Sequence, residues 1–182
     1  MPHTATATDS VLILVDLQQR LLPAIAGGER MVREAVRLAS IARLLDVPVV
    51  GTEQNPEALG PNLPELKALC DHTLAKRHFD ACRDGLVAAL PPGRRQAIVA
   101  GSEAHVCVLQ TALGLLQAGY RVTVVTDAIG SRTERNWQAA VARLGSAGAT
   151  CATVEMVAFE WLDTCRHPRF RDVLALIKSL ID

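Results

Sequence analysis

Charge of one sign is missing from this sequence: nineteen Lys and Arg balance nineteen Asp and Glu over 182 residues. Nucleic acid and anionic membrane surfaces are therefore not expected partners, since both reward a basic face. The five cysteines, at 70, 82, 107, 151 and 165, are odd in number and never fall in a C-x-x-C spacing. Neither a disulfide framework nor a zinc knuckle is suggested, and a reducing cytoplasm is the expected compartment. No G-x-G-x-x-G or G-x-x-x-x-G-K-[ST] occurs, so a nucleotide-binding module lacks its glycines. Leu17 and Gln18 stand where an aspartyl-phosphate enzyme would want a second acid beside Asp16.

Long apolar runs are also missing. The longest charge-free stretch, Ala104 to Tyr120, is interrupted by Gln110, Thr111, Gln117 and two glycines, which favours a core helix over a membrane span of roughly 17–25 apolar residues. Residues 1–10 have no basic segment, and the apolar run that follows leads to an aspartate, so a loose tail is expected in place of a signal peptide. Aromatic residues make up only 3%, and Trp137, Phe159, Trp161 and Phe170 hold most of that surface, with core packing as their expected task.

What is present is an alternation. Residues 11–15 form an unbroken aliphatic run ending at Asp16, as expected of a strand covered on both faces. Apolar residues at helical spacing follow from Glu29 to Leu45. Further strands are expected at 47–52, 73–76, 96–101, 121–126 (closed by Asp127) and 149–154, the last burying Cys151. Helices are expected at 63–70, 104–120 and 134–144 and in two C-terminal segments, and Pro56, Gly60, Pro61 and Pro64 mark an irregular loop. Such alternation predicts one α/β domain over 1–182, a mainly parallel, Rossmann-like sheet with helices on both faces.

Ligands of such sheets bind beyond the carboxyl ends of the strands, which singles out Asp16, Lys76 and Cys107. Cys107 is expected near the first turn of its helix, where unpaired N–H groups favour a thiolate and fast alkylation near neutral pH. Each residue has an ordinary reading too: a small core residue for Cys107, a helix cap for Asp16, a solvated side chain for Lys76. An acid, an ammonium and a thiol at one sheet edge are nevertheless a catalytic constellation.

Three segments, Leu14-Val15-Asp16-Leu17-Gln18, Lys76-Arg77-His78-Phe79 and above all Gly101-Ser102-Glu103-Ala104-His105-Val106-Cys107-Val108, resemble the signature regions of the isochorismatase-like cysteine hydrolases. The resemblance runs through Arg132 to His167-Pro168-Arg169-Phe170. It implies a three-layer αβα sandwich, an Asp16-Lys76-Cys107 triad, a cis peptide between Ser102 and Glu103, and an oxyanion hole from the Glu103 and Cys107 N–H groups. Gln54 and Phe79 become candidates for the substrate pocket, against a solvated loop for the first and core packing for the second. A homo-oligomer using the C-terminal helical segments is implied as well.

Nicotinamidases of that superfamily carry an Asp-x-His pair and a further His after the second strand, whereas this chain has Thr52-Glu53-Gln54-Asn55-Pro56. His72 and His78 are the nearest imidazoles, and Glu53 alone is a poor metal ligand. The Glu-Gln pair resembles the metal-free isochorismatase-domain-containing subgroup, so no metal and no cofactor are implied. Isochorismatases proper lack the nucleophilic cysteine, so Cys107 points to amide or ester hydrolysis of a small molecule through a thioester. The alternative is an inactive scaffold or small-molecule binding protein on the same fold.

Overall fold

All six residues of β1, Ser10–Val15, are buried. In the computed structural model, which describes residues 4–179, alternate β1 side chains enter two separate cores. Leu12 and Leu14 pack on one face of the sheet with Leu38, Ile41, Val157 and Val173, while Val11, Ile13 and Val15 pack on the other with Val108, Ala112, Leu115 and Leu144. A strand buried on both faces has no polar side to show, which is why its sequence reads as continuous hydrophobicity.

The remaining elements follow in order: α1 (Gly28–Leu44), β2 (Val49–Gln54), α2 (Pro56–Leu59), α3 (Pro64–Lys67), β3 (His72–Lys76), α4 (Leu86–Ala89), β4 (Gln96–Ser102), α5 (Leu109–Gln117), β5 (Arg121–Gly130), α6 (Glu134–Ser146), β6 (Thr150–Ala152), α7 (Val154–Leu162) and α8 (Phe170–Lys178). Every strand pairing is parallel, in the order β3-β2-β1-β4-β5-β6. The chain leaves β1 toward β2 and β3, then returns to build β4 on its other side. That reversal opens a crevice at the carboxyl ends of β1 and β4.

Several expectations need correction. From Thr4 onward the supposed loose tail is fastened: Ala5 is buried, the Ala5 N–H donates to Glu160 at 2.7 Å, and the Thr6 N–H donates to Gln96 at 2.7 Å. Residues 1–3 of that segment lie outside the described residues. β5 does not close at Asp127; it runs to Gly130 because a register shift lets Ile129 and Gly130 pair with Gly101 and Ser102. The helix expected from Ala104 starts as a wide π turn, Ala104–Val108, before α5. Cys151 is exposed, since β6 is a short edge strand.

Gly101 marks the point where β4 crosses the end of β1. Its φ is +125°, and a Cβ there would lie 2.1 Å from the Val15 carbonyl oxygen, so no side chain fits. Among the described residues no helix is long and apolar enough to cross a membrane. Of the aromatics, Trp161 is buried and donates its ring N–H to Ser10 at 3.0 Å, whereas Phe159 is exposed on α7 with its ring 6.5 Å from that of Phe170.

Candidate active site

Each of the three central side chains leaves the carboxyl end of a strand or the turn after it. Asp16 follows β1 with a φ of 50°, a left-handed turn that ends the strand. Its backbone is held by β2 and β4: the Asp16 N–H donates to the Thr52 carbonyl, and Ser102 Oγ donates to the Asp16 carbonyl at 2.9 Å. Lys76 closes β3 opposite Gln54 of β2. Cys107 lies in the π turn after β4, where the Glu103 carbonyl accepts from the Val106 and Val108 N–H groups, passing over that of Cys107. The Ser102–Glu103 peptide is cis.

Tertiary structure brings these residues together. Lys76 Nζ lies 2.8 Å from Asp16 Oδ2, and both side chains are 0% exposed. The same ammonium donates to Gln54 Oε1 at 2.6 Å and to the carbonyls of His78 and Phe79 at 3.3 and 3.5 Å. An ion pair this deeply buried survives because nearly every donor and acceptor is answered. Asp16 Oδ1 accepts from Thr52 Oγ1 at 2.7 Å, while Oδ2 accepts no hydrogen bond beyond its ion-pair contact with Lys76. That oxygen keeps capacity for a proton. Cys107 Sγ faces Gln54 Oε1 at 3.9 Å, and the charges of both Asp16 and Lys76 act on the thiol.

Burial opposes ionisation of the thiol, where a helix start by itself would favour it. Burial pushes Cys107 up to about 12, and the Asp16 carboxylate pushes the same way, against a smaller opposing effect of Lys76. Desolvation of the anion is the largest of these effects. Burial also pushes Cys70 up to about 11 and Cys82 to about 12, from an ordinary value near 9. These folded-state thiols hold their protons more tightly than the unfolded chain does. Their contribution to stability is complete below pH 9 and is lost as pH rises through 11 and 12. Thermal midpoints measured from pH 8 to 11 should fall above pH 9, and fall less in a Cys70→Ala, Cys82→Ala, Cys107→Ala variant; equal slopes would contradict this account.

Gln54 is no solvated loop residue. Its Nε2 donates to the Arg77 carbonyl at 2.7 Å and its Oε1 lies between Lys76 and Cys107. Phe79 does not pack in the core: the residue is 51% exposed, while its carbonyl faces inward to Lys76. Glu53 Oε1 is occupied by the Asn62 N–H at 2.9 Å and by Lys67 Nζ at 3.0 Å, so this carboxylate braces the loop after β2. Glu103 pairs with Arg132 at 2.6 Å.

Two contributors escaped the sequence reading. Thr52 holds the Asp16 carboxylate, and buried Gln18 clamps Gln54 by donating to its carbonyl at 3.0 Å and accepting from its N–H at 2.8 Å. The available signal was positional: Thr52 and Gln54 share a face of β2, and Thr52 pairs with Val15, next to Asp16.

The Isochorismatase domain model matches residues 10–156. Isochorismatase domain-containing protein 2A of Mus musculus is 39% identical over 176 residues, covering 93% of this chain and 83% of the relative. Among solved structures, the MAR1 ribonuclease from Caenorhabditis elegans aligns with a TM-score of 0.88 at 32% identity, over 98% of this chain and 95% of that one. YcaC of Escherichia coli, described as an octameric hydrolase of unknown specificity, aligns with a TM-score of 0.84 at 28% identity, over 97% of each chain. A six-stranded parallel sheet flanked on both faces, and relatives spanning nearly all its length, lead to one conclusion: this chain belongs to the isochorismatase family.

Proposed function

We propose that the protein hydrolyses an acyl C–N or C–O bond of a small molecule through a thioester on Cys107. The observation that carries this reading is the buried Asp16–Lys76 pair beside a buried thiol, with Gln54 Oε1 between the ammonium and the sulfur and with burial favouring the protonated thiol. Such a thiol becomes a nucleophile only if a base takes its proton during attack, and Asp16 Oδ2 has the capacity to do so.

In the first step the Cys107 Sγ–C bond forms as the thiol proton passes to Asp16. The carbonyl oxygen becomes an oxyanion received by the Glu103 and Cys107 N–H groups. Collapse of this intermediate breaks the C–N or C–O bond, and Asp16 returns its proton to the leaving amine or alcohol. Water then adds to the thioester while Asp16 takes its proton; that proton goes back to sulfur as the acid leaves. Lys76 remains an ammonium throughout and holds Asp16 in place. Gln54, fixed from three sides, and the Phe79 ring at the surface line the substrate side. An oxyanion donor contributes on the order of 10²–10³ in rate and proton transfer about 10²–10⁴.

RNA cleavage, the activity named for the nematode neighbour, finds little support in the charge of this chain. Phosphate backbones are bound by clustered basic residues, and the cation of this site is already paired with Asp16. Assembly into a homo-oligomer, as the octameric neighbour suggests, belongs to the same proposal. Exposed Met156 and Phe159 on α7 supply an apolar face for it.

Intact-mass spectrometry after exposure to a panel of small amides and esters tests the reading, with a short single-stranded RNA as a parallel arm. An acyl mass added to Cys107 in the wild-type protein, and absent in Cys107→Ala, is the expected result. RNA cleavage that survives Cys107→Ala, with no adduct from any acyl compound, overturns it.

A further inference from the structure

The ammonium of Lys76 is gripped from two directions. Asp16 and Gln54 hold it with side chains, whereas His78 and Phe79 hold it with backbone carbonyls from the loop that follows β3. A loop can present carbonyls at a fixed place only if something rigid holds it. Here that anchor is α5. Buried Thr111, one helical turn beyond Cys107, accepts from the Ala81 N–H at 3.1 Å and donates its hydroxyl to the Phe79 carbonyl at 3.3 Å. On the same helix, Gly114 leaves room for Asp80, whose Oδ1 lies 2.6 Å from where a Cβ would be. Asp80 in turn caps the Cys82 N–H at 2.9 Å.

We infer that Thr111 is a positioning residue, whose hydroxyl ties the helix behind the thiol to the loop that cups the lysine and so sets the distance between Lys76 and Cys107. The Phe79 carbonyl is the shared atom: it takes the hydroxyl of Thr111 on one side and the ammonium of Lys76 on the other. Loss of the hydroxyl leaves the Ala81 N–H without its acceptor and releases the Phe79 carbonyl, so the loop relaxes to satisfy both groups and the lysine follows. With the cation displaced, the thiolate that forms during attack loses its stabilising neighbour. This inference rests on the cysteine chemistry proposed above.

The test is the rate of Cys107 alkylation by iodoacetamide, followed by peptide mass spectrometry from pH 6 to 10, with exposed Cys151 and Cys165 as internal standards. Thr111→Val and Thr111→Ala should each slow Cys107 about tenfold and move its profile to higher pH, leaving the standards unchanged. Thr111→Ser, which restores the hydroxyl, should return the rate to within twofold of wild type. A Cys107 rate within twofold of wild type in both hydroxyl-free variants, or an equal loss in Thr111→Ser, overturns the inference. Asp16→Asn separates it from the reading beneath: an unchanged Cys107 rate there removes Asp16 as base, whatever Thr111 does.

Discussion

Cys107→Ala eliminates turnover, by about 10³-fold or more on any substrate that acylates the wild type, while the protein stays folded. The first half follows from the chemistry: without sulfur no thioester forms, and residues acting as a unit lose nearly everything when one is removed. The second half follows from packing. Cys107 is 4% exposed, and truncating so small a core side chain costs about 1 kcal/mol, which for a chain of this size is roughly 2–4 °C in thermal midpoint. The Asp16–Lys76 pair is complete without it. Turnover assays beside thermal denaturation decide the matter, and full activity in the variant would exclude covalent catalysis at this residue.

Lys76→Met has the largest expected effect on stability. Methionine matches the lysine stem in shape but leaves the Asp16 carboxylate, 0% exposed, without its cation, and leaves the Gln54, His78 and Phe79 oxygens without a donor. Breaking a buried pair from one side costs about 3–5 kcal/mol, or roughly 6–20 °C here. Replacing both members, in Asp16→Asn with Lys76→Met, should recover most of that loss, because an amide at 16 can still accept from Thr52 and no charge is stranded. Calorimetry on the two single variants and the double variant forms the cycle. A double variant no more stable than Lys76→Met would show that the ion pair is not what the core depends on.

The parallel strands were legible because of how they are buried. β1 and β4 are covered on both faces, and that burial favours aliphatic residues on both sides of their centres, so a run such as 11–15 can hardly be anything else. Asp16, Lys76 and Cys107 were legible as an acid, an ammonium and a thiol placed at or just after the ends of strands, and the motif around Cys107 carried the family resemblance. β5 was misjudged for an equally physical reason. Asp127 and Gly130 look like turn residues, but pairing beyond a register shift absorbed them into the strand.

Sequence alone determined the central strands, the main helices between them and the end of the sheet to which Asp16, Lys76 and Cys107 belong, since these follow from local hydrophobicity and chain direction, whereas strand order does not. Only the tertiary structure decided what those groups are. Lys76 is buried although it ends an edge strand, because Asp16 and Gln54, distant in sequence, and two carbonyls of the loop that follows it answer its charge. Cys107 holds its proton more tightly than an exposed thiol, because burial and the neighbouring Asp16 carboxylate both raise its proton affinity. Thr52, Gln18 and Thr111 acquire their tasks only by meeting partners distant in sequence. Charge state and hydrogen bonding depend on surroundings that the fold assembles from separate segments, so no local stretch of sequence can encode them.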